Sequence, residues 1–169
     1  MQLMIVAGAL ALAGCTGSAE AVGDCPVVDL CARVPLSTVK AVCGTSATVS
    51  SSSQEPTSDP VGISCAYAVS DFNEFKVTRQ CFIRGAATAA RNDLEWLRQT
   101  AKQPGVDQED LTGLGQSALF LYGGLAPIQA ELYVQQGNVL FDLHDDEPGD
   151  DVGASRACLT TLAQSLLEP

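Results

Sequence analysis

The stretch AELYVQQGNVLFDLH, residues 130–144, sets Gly137-Asn138 between two β-rich arms, Ala130–Gln136 and Val139–His144. Glycine reaches positive φ without steric cost, so a Gly-Asn step between such arms marks a tight hairpin. The two-residue period of the second arm turns Leu143 inward and puts Asp142 and His144 together on the outer side. An antiparallel hairpin near the end of the chain therefore anchors a sheet, and the rest of the fold is read outward from it.

Two segments upstream alternate in the same way. Val61–Ser70 places Ile63, Cys65, Tyr67 and Val69 on one side, and Phe75–Arg84 places Phe75, Val77, Cys81 and Ile83 on one side with Arg79 as the exception. Both are half-buried strands, joined by a turn at Asp71-Phe72-Asn73-Glu74. A short strand near Ala47–Ser50 and another at Leu119–Tyr122 complete the set. The glycines of Gly113-Leu114-Gly115 lead into that last strand rather than into a helix, so they form a tight turn and not a phosphate loop.

Helical periods separate these strands. Pro35–Gly44 has Pro at its start, Leu36, Val39, Val42 and Cys43 on its apolar side, and Gly44 just past its last turn. Ala87–Lys102 carries the stripe Ala90, Leu94, Leu97 and Ala101, pairs Arg91 with Glu95 on its exposed face, and leaves Trp96 to cover the core margin. Val152–Leu167 turns Cys158, Leu159, Leu162 and Leu166 inward, with acidic residues ahead of its start where they favour the helix dipole. The order predicts an α+β domain: an antiparallel sheet of about five to six strands with helices packed on one face, stapled by disulfides.

The first residues read differently. Leu3–Gly14 is apolar or small throughout, yet shorter than the roughly 20 residues a membrane-spanning helix needs. It has the length and small-residue end of a secretory signal, although Met1-Gln2 lacks the usual positive charge. Leu12-Ala13-Gly14-Cys15 resembles the lipobox of bacterial lipoproteins, which implies cleavage before Cys15 and acylation of that cysteine; two or more acyl chains, such as palmitate, hold a protein stably where one does not. Residues 16–24 lack apolar periodicity and form a flexible tether. The expected organisation is 1–14 signal peptide, 15–24 lipidated cysteine and tether, and 25–169 a single α+β domain.

The cysteine count agrees with export. Seven cysteines less Cys15 leaves six: Cys25, Cys31, Cys43, Cys65, Cys81 and Cys158. An even number in an exported chain implies a disulfide framework, whose connectivity sequence alone does not choose. Cys158 is expected to staple the last helix to Cys65 or Cys81. Zinc ligands come as closely spaced pairs, and no such pair occurs. The formal net charge of −11 excludes nucleic-acid binding, which needs a positive footprint, and leaves the lipid rather than the protein surface to touch the membrane.

The succession Asp29-Leu30-Cys31, a short helix ending Val42-Cys43-Gly44, Cys65-Ala66-Tyr67, Gly113-Leu114-Gly115-x-x-Ala118, a Gly-turn hairpin and a last helix resembles small bacterial lipoproteins of unknown function, best represented in actinobacteria. The resemblance implies a fold and an envelope location on the extracytoplasmic side, without an activity. The additional cysteines depart from that group's usual two.

Candidate chemistry is sparse. His144, the single histidine, is a general base only if a carboxylate orients it; at a strand end it is expected to be solvated. Asp145, Asp146, Glu147 and Asp150 are the candidate calcium ligands, but they miss the EF-hand register and read equally as a solvated loop before the last helix, so no metal and no cofactor are assigned. The expected function is a lipid-anchored module that binds an envelope protein or small ligand without catalysis. The alternatives are a hydrolase working through carboxylates such as Asp145 or Glu147, and an inhibitor or immunity-type protein whose acidic face blocks a basic site.

Overall fold

In chain order the elements are α1 (Leu30–Arg33), α2 (Leu36–Cys43), β1 (Val49–Glu55), β2 (Val61–Ala68), β3 (Glu74–Cys81), α3 (Ala86–Thr100), β4 (Val106–Leu111), β5 (Ser117–Gly123), β6 (Gln129–Gln136), β7 (Val139–Asp145) and α4 (Val152–Leu167). The computed structural model describes residue 25 and residues 28–55, 60–68, 74–82, 86–124, 129–146 and 151–168. The expected signal peptide, Cys15, the tether, most of the turn at 71–74, Glu147 and Asp150 lie outside the described residues.

The strands form a 7-stranded antiparallel sheet in the order β1-β2-β3-β7-β6-β5-β4. Two meanders, β1 to β3 and β4 to β7, meet where β3 pairs with β7, with Val77 opposite Leu143 and Cys81 opposite Val139. The expected hairpin is present: Gln136 faces Val139, and Gly137 turns the chain at φ 59°. Asn138 fastens the turn to the neighbouring strand end by donating from Nδ2 to the Phe82 carbonyl at 3.1 Å and accepting from Phe82 N at 2.9 Å.

The sheet exceeds the expected five to six strands because β4, VDQEDL, is largely exposed and carries no apolar alternation to announce it. It is an edge strand whose backbone pairs with β5 while its acids reach the helices: Glu109 accepts both bonds from Arg156 of α4 at 2.6 and 2.7 Å, and Asp110 takes Arg98 of α3 at 2.6 Å. Arg98 also takes Glu95 at 2.6 Å, the carboxylate expected to pair with Arg91. The opposite edge strand, β1, runs Val49–Glu55 rather than Ala47–Ser50. Its serine run has no apolar face, and backbone pairing to β2 alone makes it a strand.

Helices cover both faces, not one. The larger core lies between one sheet face and α1, α2 and α4, joining Leu30, Val39, Leu159 and Leu162 to Cys65, Tyr67, Phe75, Val77, Leu132 and Leu143. Tyr67 stands edge-on to Phe75 with ring centroids 5.9 Å apart and donates its hydroxyl to the Val34 carbonyl at the end of α1. Burial, with Asp29 nearby, pushes the Tyr67 phenol up to about 12. The smaller core lies on the other face, where Ala90 and Leu94 of α3 meet Leu119, Leu121 and Leu140, joined by the expected Leu97 and Ala101. The crossing forces this placement: α3 must carry the chain from β3 at mid-sheet to β4 at the edge, over β7, β6 and β5.

Local signals hold where they were strongest. Asp151 caps α4 by accepting from Gly153 N and Ala154 N, and Gly44 ends α2 at φ 67°. Gly115 allows a close approach that no side chain permits: a Cβ there would sit 2.6 Å from the Gln135 carbonyl oxygen.

Three disulfides join the segments of the larger core: Cys25–Cys81, Cys31–Cys65 and Cys43–Cys158. The last corrects the expected partner of Cys158, because α4 packs beside α2, which brings Cys43 to a Cα–Cα distance of 4.9 Å. Such bonds belong to an oxidising, extracytoplasmic compartment. Among the described residues no helix is long and apolar enough to cross a membrane.

Non-reducing peptide mapping should recover these three pairs, and a Cys158–Cys65 or Cys158–Cys81 peptide would overturn the arrangement. The double replacement Cys43→Ala and Cys158→Ala opens a bridge spanning 115 residues and should cost about 4 kcal/mol in denaturant unfolding.

Candidate functional site

The face of the sheet that carries α3 is apolar only beneath that helix. Along its flank and beyond, this face of β2, β3, β6 and β7 is small or polar: Gly62, Ser64 and Ala66; Lys76, Thr78 and Gln80; Glu131 and Tyr133; Asp142 and His144. Among the described residues no helix lies over the β1–β3 end of this face. Two cavities open along it. One, about 320 Å³, is lined by Ser53, Ser64, Lys76, Thr78 and Gln80 among others. The second, about 400 Å³, is lined by Gln80, Asp93, Trp96, Leu97, Tyr133, Leu140 and Asp142. Gln80 borders both, so the two cavities adjoin between the serine-rich edge and the flank of α3, and together they are called the groove. Ser53 and Ser64 hydrogen-bond each other through Oγ at 2.7 Å on its floor.

Trp96 does not cover the core margin. It belongs to neither core cluster and is 62% exposed, forming a wall of the second cavity. The stripe Ala90-Leu94-Leu97-Ala101 completes the buried side of α3 without it, which rotates the indole toward the groove.

His144 is also not the solvated strand-end residue that its outward position suggests. Its Nδ1 lies 3.2 Å from Glu131 Oε1 and its Nε2 lies 2.6 Å from Asp146 Oδ1. Glu131 is held in turn by the Tyr133 hydroxyl at 2.7 Å, and Asp146 by Gln129 at 3.3 Å and the Glu74 amide at 3.2 Å. With a carboxylate at each ring nitrogen, both nitrogens carry protons. The Glu131 bond, reinforced by Asp146 against the opposing effect of burial, raises the imidazole to about 9. The same bond holds Glu131 below the usual carboxylate range. An imidazolium has no free lone pair, so at neutral pH His144 is a structural cation joining β7 to β6 rather than a general base.

The acidic run is divided by the pleat. Asp146 is committed to His144, Gln129 and Glu74, whereas Asp145 ends β7 one residue before it. Among the described residues no group of three or more potential ligands is placed to hold a metal ion. The structure therefore brings Asp146 to His144, and it leaves the hydrolase candidate Asp145 outside the groove lining.

Asp142, which the sequence offered only as a neighbour of His144, is the unusual group. Its carboxyl is largely buried, and Oδ1 has neither solvent contact nor a hydrogen-bond partner among the described residues. Burial first and Glu131 second raise it to about 6. Period-two alternation did place it on this face. What could not be seen was that Leu97, Leu140 and Tyr133 would surround it.

No family model matches the chain, and neither a curated protein nor a solved structure is significantly similar to it.

The His144 bridge has a defined pH window. Because its folded value is raised from 6.5 to about 9, its stabilisation is fully present below 6.5 and disappears as pH rises through about 9. His144→Gln should cost about 2 kcal/mol in urea unfolding at pH 7, and the difference from the unaltered chain should close by about pH 10.

Proposed function

We propose that the chain is a lipid-anchored binding module of the bacterial cell envelope, facing the extracytoplasmic side, which takes its ligand in the groove on the polar sheet face and performs no catalysis there. The observation that carries this reading is the groove itself. A sheet face ordinarily buries its apolar side and leaves the other to water; here the wet side is bounded by an exposed tryptophan and shaped by α3. Convergent polar groups beside an aromatic wall are the usual composition of a binding site.

Three further features support the reading. The disulfides suit an oxidising compartment, the first residues resemble an export signal ending in a lipobox, and the one histidine is held as a cation. Acylation at Cys15 would set the domain at a membrane surface through lipid, at the end of a tether, with its negative surface turned away from anionic headgroups.

Two experiments test the proposal. Expressed in an actinobacterial host, the chain should partition with the membrane fraction and carry diacylglyceryl and acyl mass on Cys15, while Cys15→Ser should give an unlipidated product released from it. A groove-filling change, Thr78→Arg, should leave unfolding within about 0.5 kcal/mol of the parent and abolish binding of envelope-derived small molecules followed by amide shifts of Ser64, Thr78 and Gln80. Shifts confined to another surface would remove the groove from the proposal.

A further inference from the structure

The second cavity is chemically one-sided. Among the described residues its lining offers two carboxyl groups, Asp93 and Asp142, an indole, a phenol, one amide and two leucines, with neither Lys nor Arg. The Asp142 carboxyl is the more telling, since Oδ1 is out of contact with water and has no partner among the described residues. A buried acceptor left unsatisfied costs free energy, and a buried carboxylate costs more unless a positive charge accompanies it. Trp96 adds a second, independent feature: among the described residues it and Val152 are the exposed large hydrophobics, and the indole stands at the rim of this cavity.

We propose that this cavity takes a small organic cation, an alkylammonium or quaternary ammonium group, seated between the indole of Trp96 and the carboxylate of Asp142. The proposal rests on the reading of the groove as a binding site and names its ligand class. The indole face attracts a cation electrostatically, and the carboxylate supplies the counter-charge that nothing else in the cavity needs. An anionic ligand would meet two carboxyl groups. A neutral polyol could use Gln80 and the indole but would add no positive charge to the partial compensation that His144 and Lys76 give Asp142. A bare metal ion would find apolar walls and no set of three ligands among the described residues.

Ionisation of Asp142 gives the pH dependence. The groups that act on it are Glu131 and Tyr133 from β6, Lys76 from β3 and His144 from its own strand, and Asp93 of α3 lines the same cavity. With the carboxyl raised to about 6, cation binding should strengthen as pH rises through that value and then level off.

Trp96 is the single tryptophan of the chain, so intrinsic fluorescence reports on this cavity alone. Titrating the full chain with choline, with butylammonium, and with 3,3-dimethylbutanol as the uncharged counterpart of choline should give saturable changes for the cations only. By calorimetry, Asp142→Asn should weaken cation binding about tenfold and Trp96→Ala about fivefold; Asp142→Asn removes charge at nearly constant shape, and Trp96→Ala alters an exposed side chain, so both variants should fold. The two cations separate quaternary from primary ammonium recognition. If 3,3-dimethylbutanol matches choline, or Asp142→Asn binds as well as the parent, the cation assignment is overturned and the groove reading stands. If the cations are inert while a neutral envelope oligosaccharide such as chitotriose alters Trp96 fluorescence, the result is the same. If no probe alters Trp96 fluorescence or the amide shifts of Ser64, Thr78 and Gln80, both readings fall.

Discussion

The pairing of β3 with β7 is the constraint on which the rest of the molecule depends. It joins two meanders that are otherwise local, and its register, with Val77 opposite Leu143 and Thr78 opposite Asp142, assigns every side chain of the central strands to one face or the other. Strand side chains alternate with a period of two, so a slip of one residue would drive Asp142 and His144 into the larger core and turn Phe141 and Leu143 out. The Cys25–Cys81 bond at the end of β3 and the bonds from Asn138 to Phe82 lock that junction where β7 begins.

From this junction the two faces acquire different fates. One receives α1, α2 and α4 together with all three disulfides, and becomes a continuous apolar core. Among the described residues the other receives α3 alone. A helix of 15 residues is about 22 Å long, enough to cross the strands between mid-sheet and β4 but not the whole sheet. The polar floor of the groove is therefore a consequence of topology: the connection that must cross one half of the sheet leaves the other half without a helix among the described residues. Arg98 and Arg156 then clamp α3 and α4, on opposite faces, to the same acidic edge strand.

The same asymmetry explains the charges in the groove. On the helix-rich face, the buried Arg79 sits among apolar neighbours at 7% exposure, and burial lowers its guanidinium. On the groove face the charges are partly wet and form a network in which carboxylates outnumber cations: Glu131 and Asp146 hold His144, while Glu74 reaches Lys76 at 3.8 Å. Asp142 stands beside this network, lining the same cavity as Trp96 and Leu97 of α3, while the ring nitrogens of His144 are taken by Glu131 and Asp146.

By itself the sequence determined what nearest-neighbour chemistry controls. Alternation gave β2, β3 and the β6–β7 hairpin, the apolar stripe and Asp151 gave α3 and α4, Gly44 and Gly115 gave their turns, and the even cysteine count gave a disulfide framework. These signals are local, since a glycine's φ or a helix cap depends on residues a few positions away. Tertiary structure alone decided the rest. β1 and β4 are strands because a neighbour supplies their hydrogen bonds, although neither VSSSSQE nor VDQEDL has an apolar face. Cys158 meets Cys43 because α4 lies beside α2. His144 becomes a cation, and Asp142 a largely desolvated acid, because β6 brings Glu131, the end of β7 brings Asp146 and α3 brings Leu97 beside them. Pairing partners, burial and ionisation depend on three-dimensional neighbours, and no period along the chain encodes them.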